Sequence, residues 1–446
     1  MPDILSLLQC LLPQINATTM RQLNQIIIAM LAMSGRVTML GISRWAGPGG
    51  SYRTILRFFH TVIPWATLFW LFFRKHLFRA NEVYLLAGDE VVVSKSGKKT
   101  YGLDRFFSSL VSKPILGLSF FTLSLVSVEQ RHSFPIQIEQ VIKSNVEENS
   151  PLPTQFVKPQ EKRKRGRPKG SKNKNKTEVI LTTELLRIQK MINSLFKLLG
   201  DFITLTYLVL DGHFGNNNAL QMARQVNLHI ISKLRHDSAL YIPYQNPGSN
   251  RHSRRKYGDK VDYHNIPQKY LCKSCIEDEI QTNIYQATLL HKEFAQAVNV
   301  VILVKTNLKT NARSHVILFS SDLDLFYEKI IDYYKLRFQI EFNFRDAKQF
   351  WGLEDFMNLS QTAVTNAVNL AFFMVNLSHH LLLDFRPLNP DSGILDLKTH
   401  YRGFRYVREM LKMLPEIPEP ILLTQIFAKL TSLGRIHPVS TSVEPS

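Results

Sequence analysis

At residue 82 the periodicity of the chain changes, and that change limits the folds open to it. Before it, apolar clusters recur at helical spacing between short polar breaks, as in TTMRQLNQIIIAMLAMSG (18–35) and SYRTILRFFHTV (51–62). After it, EVYLLAGDEVVVSKSGKKTYGL and KPILGLSFFTLSLVSV carry the β-branched and aromatic content of buried strands. From 82 to 235 the predicted order is three strands, a helix over 182–200, a strand ending in LDGHFGNN, a short helix and a last strand. Alternation of this kind builds a sheet covered by helices, an α/β core.

With 446 residues the chain exceeds the size at which one core keeps growing, so several domains are expected. Residues 1–80 read as a helical, helix-turn-helix-like DNA-binding domain, with Arg44, Arg53 and Arg57 on its later helices. Residues 82–236 hold the first part of the α/β core, 237–325 are richer in strand, 326–360 contain a long helix, and 361–446 form a helical C-terminal tail. The apolar runs 63–73 and 114–128 fall short of the ~20 residues of a membrane span and read as a core helix and a core strand, so no membrane partner is expected.

A net charge of +19 and a pI near 9.7 call for a polyanionic partner, of which nucleic acid is the usual one. Much of the charge is local. Residues 151–176 offer almost nothing to a core and read as a disordered basic loop, in which 158–176 carry ten Lys and Arg against one Glu. Arg163, Arg165, Arg167 and Lys169 lie there, and RGRP (165–168) resembles the AT-hook core that enters narrow A·T minor grooves. Arg254 and Arg255 form a second basic stretch, and Lys95, Lys98 and Lys99 sit in an SKSGKK turn; all are candidate phosphate contacts. Three cysteines suit a reducing compartment, and Cys272 and Cys275 lack the second pair of a zinc site. The first residues lack the basic start and cleavage site of a signal peptide, so a cytoplasmic, nucleoid-associated location is expected.

Three acids stand at informative places: Asp89 near the end of the first strand, Asp211 at the carboxyl end of a later one, and Glu341 on the late helix. Ligands of open sheets gather beyond the carboxyl ends of strands. Three carboxylates brought together repel unless cations separate them, and hard oxygen donors in that number suit Mg²⁺ or Mn²⁺. Each acid alone has a plainer reading, as a turn residue, a strand-end acid or half of an ion pair. On one continuous helix over YYKLRFQIEFNFRDAK, Tyr334, Arg337, Glu341, Arg345 and Lys348 would share a sector of roughly 80°. There Arg337 and Glu341 are also i,i+4 partners. Phe338, Ile340, Phe342 and Phe344 flank this stripe and would anchor the helix.

Tyr334, Arg337, Glu341 and Lys348 match the Y-x2-R-x3-E-x6-K signature of bacterial insertion-sequence DDE transposases, which the chain resembles from about 82 to 360. LLAGDEVVVSKSGKKTYG is similar to that family's first-aspartate strand, and YLVLDGHFGN to its second. The resemblance implies an RNase H-like fold with a mixed-sheet catalytic core. It further implies that Asp89, Asp211 and Glu341 hold two Mg²⁺ ions, with Mn²⁺ as an alternative, and that Tyr334, Arg337, Arg345 and Lys348 contact DNA. The 130 residues between Asp211 and Glu341 resemble the subgroup with a β-rich insertion, here 237–325. The implied function is binding of element ends and target DNA, cleavage and strand transfer, by a homodimer on paired ends. A non-catalytic DNA-binding derivative, or an RNase H-like nuclease without strand transfer, would share the composition.

Overall fold

The computed structural model describes residues 3–108, 111–143, 175–244 and 256–437. The first helices are α1 (Ile4–Leu8), α2 (Ala17–Ala32), α3 (Met39–Trp45), α4 (Tyr52–His60) and α5 (Trp65–Phe72). Asn16, Thr38 and Ser51 cap α2, α3 and α4 by accepting backbone N–H bonds, which fixes where each begins. Strands β1 (Tyr84–Ser94), β2 (Asp104–Ser108), β3 (Lys113–Ser127) and β4 (His132–Val141) follow. Then come α6 (Thr183–Leu199), β5 (Tyr207–Val209), α7 (Asn217–Gln225) and β6 (His229–Leu234). A strand-rich stretch supplies β7 (Leu240–Pro243), β8 (Tyr257–Lys260), β9 (Leu271–Glu277), β10 (Ile280–His291), β11 (Ala297–Asn307) and β12 (Arg313–Ser320). The chain ends with α8 (Tyr327–Leu336), α9 (Gln339–Phe350), α10 (Gln361–Phe385), α11 (Ile394–Leu411) and α12 (Pro420–Ser432). Four strands precede α6, one more than the sequence predicts. The extra one, β2, is only five residues long, too short for its period to stand out in the sequence.

The chain divides into two compact units. The first comprises Met1–Val141, Leu195–Ile203 and Phe338–Ser446. Its sheet is antiparallel: β1 runs along β3 from Tyr84 opposite Ser127 to Ser94 opposite Gly117, and β4 and β2 share the other edge of β3. From Gly117 to Ser127 every residue of β3 is buried, the pattern of a strand covered on both faces. Helix α10 is the one described helix long and apolar enough to cross a membrane, and most of it is buried against β4, α4, α9 and α11. The N-terminal helices share this unit with the C-terminal ones. Trp65 Nε1 donates to Asn366 Oδ1 at 2.8 Å, and Asn366 donates to the Phe59 and Thr61 carbonyls at 2.9 and 2.7 Å. At the end of α2, Lys398 and Arg402 donate to the Met30 and Ala32 carbonyls at 2.6 and 2.9 Å, placing cations at the negative end of that helix.

The second unit comprises Ile142–Ser194 and Thr204–Arg337. Here β5 and β6 are parallel, and β12 continues antiparallel from β6, pairing Ile317 with Leu234 through Ser320 with Ile231. Strands β11 and β10 extend the meander, with β7 and β9 pairing β10. The strand-rich stretch after β6 thus lengthens the sheet that β5 and β6 begin. Parallel and antiparallel pairs in one sheet, with helices at both ends of the chain, make the mixed α/β architecture of an RNase H-like core.

Candidate active site

The late helix is not continuous. Helix α8 stops at Leu336 and α9 starts at Gln339, although Arg337 and Phe338 between them keep right-handed helical backbone angles. The stripe predicted on one helix is divided there. Tyr334 is on α8 and Arg337 follows it, in the second unit; Glu341, Arg345 and Lys348 are on α9, in the first. No Gly or Pro marks this break, so nothing local in the sequence announces it.

In the first unit Asp89 lies in the middle of β1 and not near its end, because the apolar run Val91–Val93 carries the strand on to Ser94; it stands opposite Thr122, half-exposed, and its Oδ1 accepts the Glu90 N–H at 2.8 Å. Glu90 points to the other face, as alternation requires, and accepts the Ser119 hydroxyl. Helix α9 packs against β1 and β4 through Ile340, Phe344 and Ala347, and Asn343 donates to Ser133 Oγ at 2.9 Å. This leaves Glu341 half-exposed in the first turn, where the helix dipole favours a carboxylate. The predicted apolar flanks divide. Phe344 packs against Phe372, whereas Phe338 and Phe342 are 49% and 38% exposed and meet edge to face instead of anchoring the helix.

The cations of this unit are held in different ways. Lys348 Nζ donates to the Val92 carbonyl at 3.0 Å and pairs with Glu354 at 3.2 Å. Lys95 donates to the Glu354 and Phe356 carbonyls at 3.0 and 2.9 Å and sits 3.5 Å from the Phe356 ring centroid; burial lowers its pKa to about 8. Both side chains tie the β1 region to the turn after α9. Arg345 is half-exposed, pairs with Asp346 at 3.0 Å and lies over Phe342, and Lys98 and Lys99 are exposed. Arg163, Arg165, Arg167, Lys169, Arg254 and Arg255 lie outside the described residues.

In the second unit Asp211 follows β5 and caps a single turn, Gly212–Phe214, by accepting the His213 N–H at 3.1 Å. The Asp211 carbonyl accepts the Ser232 hydroxyl at 2.6 Å, tying the turn to β6. Gly215 completes it: a Cβ there would lie 2.2 Å from the Lys233 carbonyl oxygen, so no other residue fits without backbone movement. A pocket of about 400 Å³ opens at this turn, lined by Asp211, His213, Lys233, Arg235, Tyr334 and Arg337 among others. Residues more than 120 positions apart in sequence therefore meet around Asp211. The Arg337 guanidinium lies 5.9 Å from the Tyr334 ring centroid, and His213 pairs with Glu184 at 3.2 Å. Lys233 and Arg235 are missed by the sequence reading. The signal was the run SKLRHD at the carboxyl end of β6, the edge toward which ligands gather.

The carboxylates of Asp89 and Glu341 belong to one unit and that of Asp211 to the other. Within either unit, no three His, Cys, Asp or Glu side chains among the described residues are gathered to hold a metal ion. The three acids are hard oxygen donors without thiolate or imidazole, which is the chemistry Mg²⁺ takes, since it keeps several waters and needs few protein ligands. Cys272 and Cys275 sit three apart on β9, which points them to opposite faces.

A family model described as DDE superfamily endonuclease matches residues 10–296, well over half of the chain. The matched span includes Asp89 and Asp211 and ends before the segment that carries Glu341. No curated protein matches the sequence.

Proposed function

The chain belongs to the DDE superfamily of endonucleases, and we propose that it is the transposase of an insertion sequence, which binds the terminal repeats, cleaves at the element ends and joins the freed 3′-hydroxyls to target DNA. The observation that carries this reading is the pocket in which Asp211 meets Tyr334 and Arg337, the aspartate of one motif and the first two residues of another.

Asp89, Asp211 and Glu341 would hold divalent cations, Mg²⁺ or Mn²⁺, and such ions supply an activated oxygen nucleophile and charge stabilisation on the leaving oxygen. The chain's own residues supply the rest. Arg337, with its fork of donors over the Tyr334 ring, is suited to grip two oxygens of one phosphate. Lys233 extends the positive lining of the pocket and neutralises a neighbouring phosphate, and Arg235, which pairs with Asp237 at 3.1 Å, can add to it by giving up that carboxylate. The Asp211 turn is held rigid by its cap, by Ser232 and by Gly215, so its carboxylate is positioned before substrate arrives. Lys348 acts on α9 through the Val92 carbonyl and so positions the helix that bears Glu341. Two copies on paired ends in the bacterial cytoplasm complete the proposal, since each end requires a site.

The test is incubation of the protein with Mg²⁺ and DNA that carries the element ends, comparing wild type with Asp211→Ala and Glu341→Gln. Cutting and joining by wild type alone supports the reading. Cutting without joining would assign a plain nuclease, and binding without cutting by wild type would assign a non-catalytic DNA-binding derivative.

A further inference from the structure

Within the first unit, a cavity of about 600 Å³ that shares only Arg345 and Asp346 with the candidate active site lies between the start of β4, the last turns of α9 and the C-terminal half of α10. Arg79, Arg345 and Arg386 line it. Three guanidiniums around one cavity repel one another, and the carboxylates that offset them are few. Asp346 pairs with Arg345 at 3.0 Å, and Glu82 lies 3.8 Å from Arg79. Arg386 donates to the Ser392 carbonyl at 3.0 Å and has no carboxylate partner among the described residues. The Arg79 and Arg345 side chains remain 55% and 51% exposed, so their charge faces the opening.

His132 and His379 line the same cavity, their rings stacked with centroids 3.7 Å apart and planes 17° from parallel. The Nε2 atom of each is buried and has no hydrogen-bond partner among the described residues. A buried polar atom without a partner costs free energy on the order of 1–3 kcal/mol, so two such atoms on stacked rings that line one cavity mark a place where a ligand would relieve a penalty. A cation is unsuited to a cavity ringed by arginines. An apolar ligand would leave both nitrogens unsatisfied. An oxyanion fits both features, because its oxygens accept from guanidinium and imidazole N–H groups alike.

We propose that this cavity is a phosphate-binding site, in which Arg79, Arg345 and Arg386 bind the phosphate oxygens at the opening and His132 and His379 donate Nε2–H bonds from within. The phosphate comes from solution or from a nucleic acid backbone, and the chemistry of recognition is the same. Arg386 is the main electrostatic anchor, since it has no carboxylate to leave. His379 and His132 shape the inner end. Burial lowers the pKa of His132 to about 4 and that of His379 to about 2, so both are neutral near pH 7 and an anion meets them as hydrogen-bond donors and not as charges.

The full chain would be titrated with inorganic phosphate against sodium chloride at matched ionic strength, following the thermal midpoint. Wild type should show a saturable rise with phosphate, as a ligand that binds only the folded state produces. Arg386→Gln and Arg79→Gln, at exposed positions that tolerate the change, should weaken the apparent phosphate affinity at least tenfold while folding normally without phosphate. No phosphate-specific rise, or an equal rise in both variants, would overturn the proposal. A second arm measures binding of a labelled duplex against salt. A slope shallower by about one in Arg386→Gln identifies a DNA phosphate as occupant; an unchanged slope with the phosphate response lost identifies a free phosphate. Neither arm depends on cleavage, so failure here and failure of the transposase reading are separable.

Discussion

Arg337 and Lys348 belong to the same spaced signature, yet the structure holds them in opposite ways. Arg337 follows α8 and lines the pocket at Asp211, whereas Lys348 on α9 is only 21% exposed and directs its ammonium to the Val92 carbonyl and Glu354. A cation in the lining of a pocket is placed to meet a phosphate there. One already bonded to a carbonyl and a carboxylate has to give those up first. Membership of a sequence signature therefore does not assign a role. One cation lies at the Asp211 pocket, and the other is tied to β1 and the turn after α9.

The sharpest test of that separation is Arg337→Gln. It should lower DNA cleavage by roughly 10²- to 10³-fold, as loss of a charge stabiliser does, and make the salt dependence of DNA binding shallower by about one unit of slope. Cleavage within a factor of a few of wild type would remove Arg337 from the substrate side. Lys348→Met should do the reverse. Denaturant unfolding should show a loss on the order of 1–3 kcal/mol, because the Val92 carbonyl and Glu354 lose their partner, while the salt slope stays unchanged. A shallower slope in this variant would break the comparison.

A smaller effect separates the units by pH. Burial lowers the folded-state pKa of His132 and His379, to about 4 and about 2, below the ~6.5 of an unfolded histidine. The unfolded chain then takes up more protons, so stability should fall as pH drops below ~6.5, by up to about 1.4 kcal/mol per pH unit for each histidine. Unfolding curves at pH 7 and pH 5 check this, and His379→Gln should reduce the difference. An unaltered pH dependence in that variant would show that His379 is not responsible. Smallest of all, Lys98→Gln with Lys99→Gln should change DNA affinity only a few-fold, since exposed lysines in a turn contribute a backbone contact or two.

The elements of the core could be read from the sequence because their signals are local. The β3 run has no polar alternation because both its faces are buried, and the DGHFGN turn needs a glycine where the chain presses on β6. Both could be read without knowing their neighbours. The interruption after Leu336 could not, since Leu336, Arg337 and Phe338 are all acceptable in a helix. The same applies to the shared core of the terminal helices. Asn366 bonds to carbonyls some 300 residues earlier, and Lys398 ends a helix that precedes it by hundreds of positions. Neither partner leaves a mark near the other in the sequence. Of the candidate site, Asp211 was legible as a strand-end acid and Glu341 as a helix acid, whereas Asp89, expected near a strand end, lies in the middle of β1. The pocket's Lys233 and Arg235 were not, because a basic strand end gains meaning only when Tyr334 and Arg337 are seen beside it.

The measurement that bears most directly on the account is Mg²⁺-dependent cleavage of end-bearing DNA by wild type, Asp211→Asn and Glu341→Gln, with DNA binding measured in parallel. The account predicts cleavage by wild type, a loss on the order of 10³-fold or more in each variant, and retained DNA binding in both. Cleavage by Asp211→Asn or Glu341→Gln at the wild-type rate, with binding intact, would contradict it.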